Sequence, residues 1–402
     1  MEVTTKSRPK LAGTVILLGI ASLLNDISSE MIAAVLPVFL LTLPGGTPLF
    51  LGLLEGAADS VASLLKLFSG PWSDRLSKRS GLIVVGYGLA LITRPWIGLA
   101  TAAWHVLVIR IADRIGKGIR TAPRDALIAD VTAPDQRGRA FGFHRAMDHI
   151  GAVVGPLISA GFLWMLPGQY RLLFLLSIIP GICVILSLWF GLKEPAQHAS
   201  ADKPAFTLSL KPFDNNFRLF LVSLLLFTLG NSSDLFLLAH AQRLGMPIAL
   251  LPILWSVFHV AKSLGNFLLG PLVDRIGPRP MILTGWTVYG IIYLLFGLST
   301  AAWQMWILFL CYALFYAMTE PAEKTLVAAL VPPDRKGLAF GWFNFALGIA
   351  TFPASVLFGW LYEAASPFTA FATGATLALL AAILLLYVNP RPTPPPPTTA
   401  AN

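Results

Sequence analysis

Charge is what this chain has least of. Only 12% of its 402 residues are Asp, Glu, Lys or Arg, where soluble domains carry about 25%. With 56% of the residues hydrophobic, most of the chain must sit in lipid. There the backbone has to satisfy its own hydrogen bonds, which leaves helices and closed barrels. The apolar runs are far longer than barrel strands, and their Gly, Ala and Leu content suits packed helices. Cysteine is scarce too: Cys183 and Cys311 both fall inside apolar segments and are expected to be buried thiols with no redox task. The chain has no phosphate-binding loop, no paired-Cys metal site and no Gly-x-Ser-x-Gly. Those gaps argue against an enzyme, a metal centre, a bound cofactor or an ATP-driven engine.

The charge that is present has a pattern. The formal net charge is +9, which could suggest nucleic acid, yet most Lys and Arg fall in alternate short loops and the tails. Examples are Lys6, Arg8, Arg75, Lys78, Arg137, Lys193, Arg275 and Lys336, while the opposite loops hold only Arg171 and Arg243. By the positive-inside rule both termini are expected in the cytoplasm, so no nucleic-acid partner is needed to explain the basic balance. Windows of about 20 apolar residues give spans near 11–41, 47–69, 81–101, 103–130, 137–165, 171–192, 217–242, 248–269, 281–299, 302–328, 337–362 and 367–388. The first is too long for a signal h-region and is expected to remain as a span. The expected organisation is a six-helix bundle over 1–192, a polar cytoplasmic linker over 193–216, a second bundle over 217–389 and a disordered Pro-rich tail over 390–402. This is an all-α polytopic membrane protein, two pseudo-symmetric bundles around a central cavity, expected as a monomer in the plasma (inner) membrane. Trp286, Trp303 and Trp306 read as interfacial belt residues.

Two segments occur twice. Gly70-Pro71-Trp72-Ser73-Asp74-Arg75 returns as Gly270-Pro271-Leu272-Val273-Asp274-Arg275, and Pro134-Asp135-Gln136-Arg137-Gly138 returns as Pro333-Asp334-Arg335-Lys336-Gly337. A tandem duplication in a membrane is the usual build of a secondary transporter. The first pair resembles the G-x-x-x-D-[RK]-x-G-x-[RK] motif of the major facilitator superfamily. It reads Gly70, Asp74, Arg75, Arg79 in one half, with Ser77 where that family has Gly, and Gly270, Asp274, Arg275, Gly277, Arg279 in the other. The resemblance implies twelve helices and alternating access. It also implies a gate in which Asp74 caps the eleventh helix near Lys336–Gly337, and Arg75 and Arg79 could pair with Asp130. Such contacts would hold the outward-open state. Gly142, Gly151, Gly155 and Pro156 resemble the G-x8-G-x3-G-P signature of antiporters, with Ser159-Ala160 replacing its usual Gly-Gly. Asn25-Asp26-Ile27-Ser28-Ser29-Glu30, the run Asp113–Asp125 and Asn231-Ser232-Ser233-Asp234 look like a bacterial subgroup of that superfamily, which supplies no substrate.

Charges inside a bilayer are costly and face a bundle interior or a watery cavity. The third span has one charge, Arg94, and the sixth, ninth and twelfth essentially none, so these four should face lipid while the first, fourth, seventh and tenth line a cavity. Arg110, Arg114, Lys117 and Arg124 form one stripe on the fourth span, a cationic wall for an anionic substrate or for paired carboxylates. Asp26 with Glu30, and Glu55 with Asp59, are carboxyl pairs one turn apart. A carboxyl that alternates between buried, like-charged surroundings and an Arg can take up and release a proton, and Asp26, nearest the midplane, is the first choice. Asn25, Asn231, Asp234, Lys262 and Trp255 are further substrate-binding candidates. The function these features imply is proton-coupled efflux of a small anionic or amphipathic solute. Proton symport or uniport for uptake is the alternative within transport. A transporter-shaped sensor or scaffold is the alternative of another class.

Overall fold

A computed structural model describes residues 11–74, 79–132, 137–192, 210–211, 213–331 and 336–389. Among them the chain forms α-helices and short 3₁₀ turns. In order these are α1 (Gly13–Ala33), α2 (Leu36–Thr42), α3 (Pro48–Asp74), α4 (Ser80–Thr93), α5 (Ala103–Asp130), α6 (Arg137–Met165), α7 (Tyr170–Leu176), α8 (Ile178–Gly191), α9 (Asn215–Gly230), α10 (Leu235–Arg243), α11 (Leu251–Ile276), α12 (Pro278–Leu298), α13 (Ala302–Leu330), α14 (Lys336–Ala364) and α15 (Pro367–Leu385). The first span is α1 with α2, the third α4 with the 3₁₀ turn Arg94–Leu99, the sixth α7 with α8, and the seventh α9 with α10. Among the described residues, eleven helical segments are long and apolar enough to cross a membrane. The remaining span is α5, 28 residues long, which is set apart by its run of Arg, Lys and Asp.

The duplication is visible in the backbone. Gly45 (φ 78°) and Gly245 (φ 88°) turn the chain after the first span of each half. They are 200 residues apart, and a left-handed φ is what Gly permits without strain. Gly277, in the repeated motif, also has positive φ (94°); its counterpart Ser77 lies outside the described residues.

The starts of α9 and α12 and the end of α15 meet at one end of the bundle. Asn389 N donates to Asn216 Oδ1 (3.2 Å), and Arg279 donates to the Leu386 carbonyl. We call this the terminal end. At the far end the two halves close on each other. Leu49 N donates to Glu363 Oε2 at 3.0 Å and Ser60 Oγ to the Gly348 carbonyl at 2.5 Å, both joining α3 to α14. Gly52, Gly56 and Gly359 let those two backbones touch, the close approach that drives helix association in lipid. Ser256 Oγ of α11 donates to the Val153 carbonyl of α6 at 3.0 Å.

The halves are packed by different chemistry. Of the largest fully buried side chains only Tyr87 and Phe174 belong to the first half; the second supplies the rest, Trp286, Tyr289, Tyr293 and Tyr312 among them. Trp286 stacks on Phe227 (centroids 4.6 Å) and donates to Glu323 at 3.3 Å. It is therefore a core residue and not a belt residue; Trp303, 63% exposed, fits the belt. Cys183 likewise departs from expectation, since it is exposed on α8. The outer helices do present apolar faces, with Val85, Ile92, Trp189, Phe190, Ile291 and Ile383 exposed. Arg94 does not share that face. It is buried, with Nε 2.8 Å from Asp113 Oδ1 and Nη1 donating to the Asn25 carbonyl at 2.8 Å. A charge that lipid would penalise has turned inward to a carboxylate.

Candidate functional site

A cavity of about 470 Å³ lies between the halves, within the usual range for a small-molecule site. Its walls come from α1, α3 and α5 on one side and from α9, α10, α11, α13 and α14 on the other. The third, sixth, ninth and twelfth spans contribute no lining residue, as the charge pattern implied, while the second, eighth and eleventh do. The lining residues run from mid-span to Lys66, Thr319, Glu323 and Leu347 in the terminal halves of their helices, so the cavity opens toward the terminal end. Asp59 and Glu320 have side chains 44% and 40% exposed, which marks the cavity as wet.

The first wall is ionic. Arg110 Nη2 donates to Glu55 at 2.9 and 3.2 Å, with both side chains buried. Arg114 Nε is 3.4 Å from Asp59 Oδ1 and its Nη1 4.0 Å from Asp113 Oδ2. Lys117 completes the upper stripe on the cavity. Arg124 turns away, to Asp125 at 2.8 Å, and Arg120 lies over the Tyr87 ring at 4.4 Å. Lys66, unanticipated, also lines the cavity. Its signal was legible: it stands seven residues beyond Asp59 on α3, on the same helix face.

The second wall is built on a break. Helix α9 stops at Gly230 and α10 starts at Leu235, leaving Asn231–Asp234 unwound on the cavity. Non-helical backbone at membrane depth occurs where it lines a cavity or is buried in protein, and broken helices are where transporters place binding sites. Asp234 accepts from Tyr312 Oη at 2.7 Å and from Tyr316 Oη at 2.8 Å. Trp255 Nε1 donates to Glu30 Oε2 at 2.9 Å, joining the two halves across the cavity. Lys262 is not a lining residue; it pairs with Glu320 at 2.8 Å, with its Nζ 3.7 Å from the Tyr316 ring centroid.

Asp26 and Asn25 lie off the cavity. Asp26 accepts from Asn25 Nδ2 at 2.9 Å and packs against α6, where a Cβ on Gly151 would stand 2.8 Å from its own Cβ. The antiporter-like glycines are explained locally. A Cβ on Gly151 would meet the Leu23 carbonyl at 2.7 Å, and one on Gly155 the Ile27 carbonyl at 2.8 Å, whereas Gly142 faces open space. Pro156 is inside α6, and Ser159 Oγ donates to the Met31 carbonyl at 2.6 Å. Gly151, Gly155 and Ser159 seat α6 on α1 within one half.

Of the gate residues, Gly70 and Asp74 end α3, and Gly270 and Asp274 lie in α11. Arg75 falls outside the described residues. Arg275 stands exposed in the last turn of α11. Arg79 does pair with Asp130. That pair joins α4 to α5 inside one half and is intact while the terminal end is open, so it is not a contact whose breakage separates the halves.

Two six-helix halves, repeated in sequence, around a polar cavity closed at one end define a secondary membrane transporter. The chain belongs to the Major Facilitator Superfamily, whose family model matches residues 18–261 and 241–402. Members of that family are transporters and not enzymes. An uncharacterized MFS-type transporter of Methanocaldococcus jannaschii is 33% identical over 398 residues, 96% of this chain and 98% of the relative. The multidrug resistance protein MdtH of Photorhabdus laumondii is 27% identical over 332 residues, 79% of each chain. Among solved structures, a bacterial homolog of the human lysosomal transporter Spinster, inward-facing and occupied, aligns with TM-score 0.73 at 19% identity, covering 95% of this chain and 96% of that one. A point mutant of the nucleoside transporter NupG aligns with TM-score 0.80 at 12% identity, covering 93% and 99%. At these identities the structures speak for the fold.

Proposed function

We propose that this chain exports a small anionic or amphipathic compound by proton antiport across the plasma (inner) membrane, with both termini in the cytoplasm. The carrying observation is the wet cavity whose first wall holds Arg114, Lys117 and Lys66 beside titratable carboxylates. The positive-inside charge pattern supports a cytoplasmic terminal end, and on that reading the cavity is inward-open, ready to load from the cell. The MdtH relative, named for multidrug resistance, supports the efflux direction.

The carboxylate candidates separate by geometry. Glu55 is locked to Arg110, Asp26 is off the cavity, and Glu30 is held by Trp255. Asp59 lines the cavity with its side chain 44% exposed and meets Arg114 at 3.4 Å, against 2.9 Å for Glu55 and Arg110, so it is the carboxylate we place first for proton exchange. One observation favours the uptake alternative: an anion that takes Arg114 from Asp59 frees that carboxylate for a proton, and the two would then travel the same way. Proteoliposomes with pH gradients of either sign, challenged with a metabolite and drug panel, separate the readings. Antiport requires accumulation into the compartment that supplies the protons. Accumulation in the opposite sense means symport, and flux indifferent to pH means uniport.

A further inference from the structure

The two walls of the cavity carry a net excess of opposite charge: Lys66, Arg110, Arg114 and Lys117 outnumber Glu30, Glu55 and Asp59 on the first, while the second presents Asp234, Glu320 and Glu323, of which Glu320 is paired with Lys262. On the first wall Arg110 and Arg114 have carboxylates, but Lys66 and Lys117 make no ion pair among the described residues. The two lysines flank one seam: Ser69 Oγ of α3 donates to the Gly118 carbonyl of α5 at 2.8 Å, and a Cβ on Gly118 would stand 2.5 Å from Leu65 Cβ. Two ammonium groups beside one another on a wet wall favour an anion. On the second wall the Asp234 carboxylate accepts, among the described residues, from the neutral hydroxyls of Tyr312 and Tyr316 alone; Lys262, behind the Tyr316 ring, pairs with Glu320 instead, and a carboxylate has about four acceptor positions. The side-chain amide oxygen of Asn231 (Oδ1), three residues earlier on the unwound segment that lines the same cavity, is buried with no donor among the described residues. A buried acceptor left without a donor is costly, and an N–H donor would satisfy it.

We propose that the substrate is bipolar: an anionic group seated by Lys66 and Lys117, and a cationic amine or amidine seated by Asp234 and Asn231. This rests on the cavity being the substrate site. A plain anion would satisfy the lysines but would face the Asp234 carboxylate. A plain cation would face the lysines. Between the poles, Phe227, Phe315 and Trp255 offer an apolar surface for the body of the molecule. A bipolar solute would tie α3 and α5 of one half to the α9–α10 break of the other. Its contacts would then differ between open and closed states, which is what ligand-driven closure needs.

The test uses the full chain in lipid nanodiscs and three probes of one shape: 4-(aminomethyl)benzoate, 4-methylbenzoate and 4-methylbenzylamine, titrated calorimetrically. The zwitterion is expected to bind about tenfold or more tighter than either singly charged probe, as one added charge-assisted contact implies. Lys66→Gln and Lys117→Gln should bring it down to the level of the amine, and Asp234→Asn to the level of the carboxylate. Asn231→Leu, which leaves the Asp234–tyrosine contacts in place, should weaken the zwitterion and the amine but not the carboxylate. It serves as the second variant if Asp234→Asn fails to fold. Equal binding of zwitterion and carboxylate, with no effect of Asp234→Asn or Asn231→Leu, overturns the proposal and leaves an anion transporter. Absence of saturable binding by all three probes overturns it as well. Proton coupling is read separately by the flux experiment, so a pH-indifferent flux with the zwitterion preference intact would sink antiport and not this assignment.

Discussion

The far-end closure can be broken with one methyl group. At Gly52 of α3, a Cβ would stand 2.1 Å from the Ser355 carbonyl oxygen of α14 and 2.8 Å from its carbon. Ordinary contact begins at 3.4 Å, so Gly52→Ala is about 1.3 Å short of room. The obstacle is backbone on a helix of the other half, which has no rotamer to give. The halves must part or both helices must bend. Overpacking of this kind costs about 1–3 kcal/mol. Applied to the far-end-closed state alone, that is about a 5- to 150-fold shift of population toward the far-end-open state. Spin labels at Thr101 and Thr300, exposed residues preceding α5 and α13 in opposite halves, report the far-end separation by pulsed dipolar spectroscopy. Gly52→Ala should move the distance distribution to longer values. Gly161→Ala, where a Cβ meets nothing within 4 Å, should leave it unchanged. A distribution unaltered by Gly52→Ala, or altered equally by both, would refute the reasoning that backbone contact between α3 and α14 holds this end shut.

Other expectations follow from the same geometry. Asp113→Ala strips Arg94 of its carboxylate in a buried place and should cost about 3–5 kcal/mol, read as a lower melting temperature in detergent. Much of that loss should return in Arg94→Leu/Asp113→Leu. Asp59→Asn should abolish pH-driven accumulation in proteoliposomes while leaving substrate exchange; if Asp26→Asn does so instead, coupling runs through the α1–α6 contact and not through the cavity. Asp74→Asn should impair transport with folding and insertion intact, and normal flux by that variant would remove the gate reading of the repeated motif.

The architecture was legible because each line of evidence acts locally. Long apolar runs, alternating basic loops and a 200-residue repeat give spans and halves without any contact being known. The cavity wall on α5 was legible for the same reason, since Arg110, Arg114 and Lys117 share a helix face and cannot be left in lipid. What stayed hidden depends on which neighbour a side chain meets. Asp26 and Glu30 are one turn apart in sequence, yet one packs against Gly151 and the other reaches Trp255 across the cavity. Trp286 looked interfacial from its place in the ninth span, but Phe227 and Glu323 draw it inward. Arg94 is the one charge of the third span in sequence, and its partners Asp113 and the Asn25 carbonyl lie on other helices.

These surprises share a direction. In the first half polar groups hold the helices together: Arg94 with Asp113, Arg110 with Glu55, Arg79 with Asp130. In the second half stacked rings do so: Phe227 on Trp286, Phe296 on Phe371, Phe258 on Tyr312. Lipid supplies no hydrophobic force between helices, so each half needs close packing or directed polar contacts. The repeat fixed the same scaffold twice, and the two copies then satisfied that need with different side chains. The cavity inherits the difference. One wall has basic groups in excess of its carboxylates, and the other has acceptors held by tyrosines. A site between two such walls distinguishes the ends of a molecule, which a symmetric pair of halves could not do.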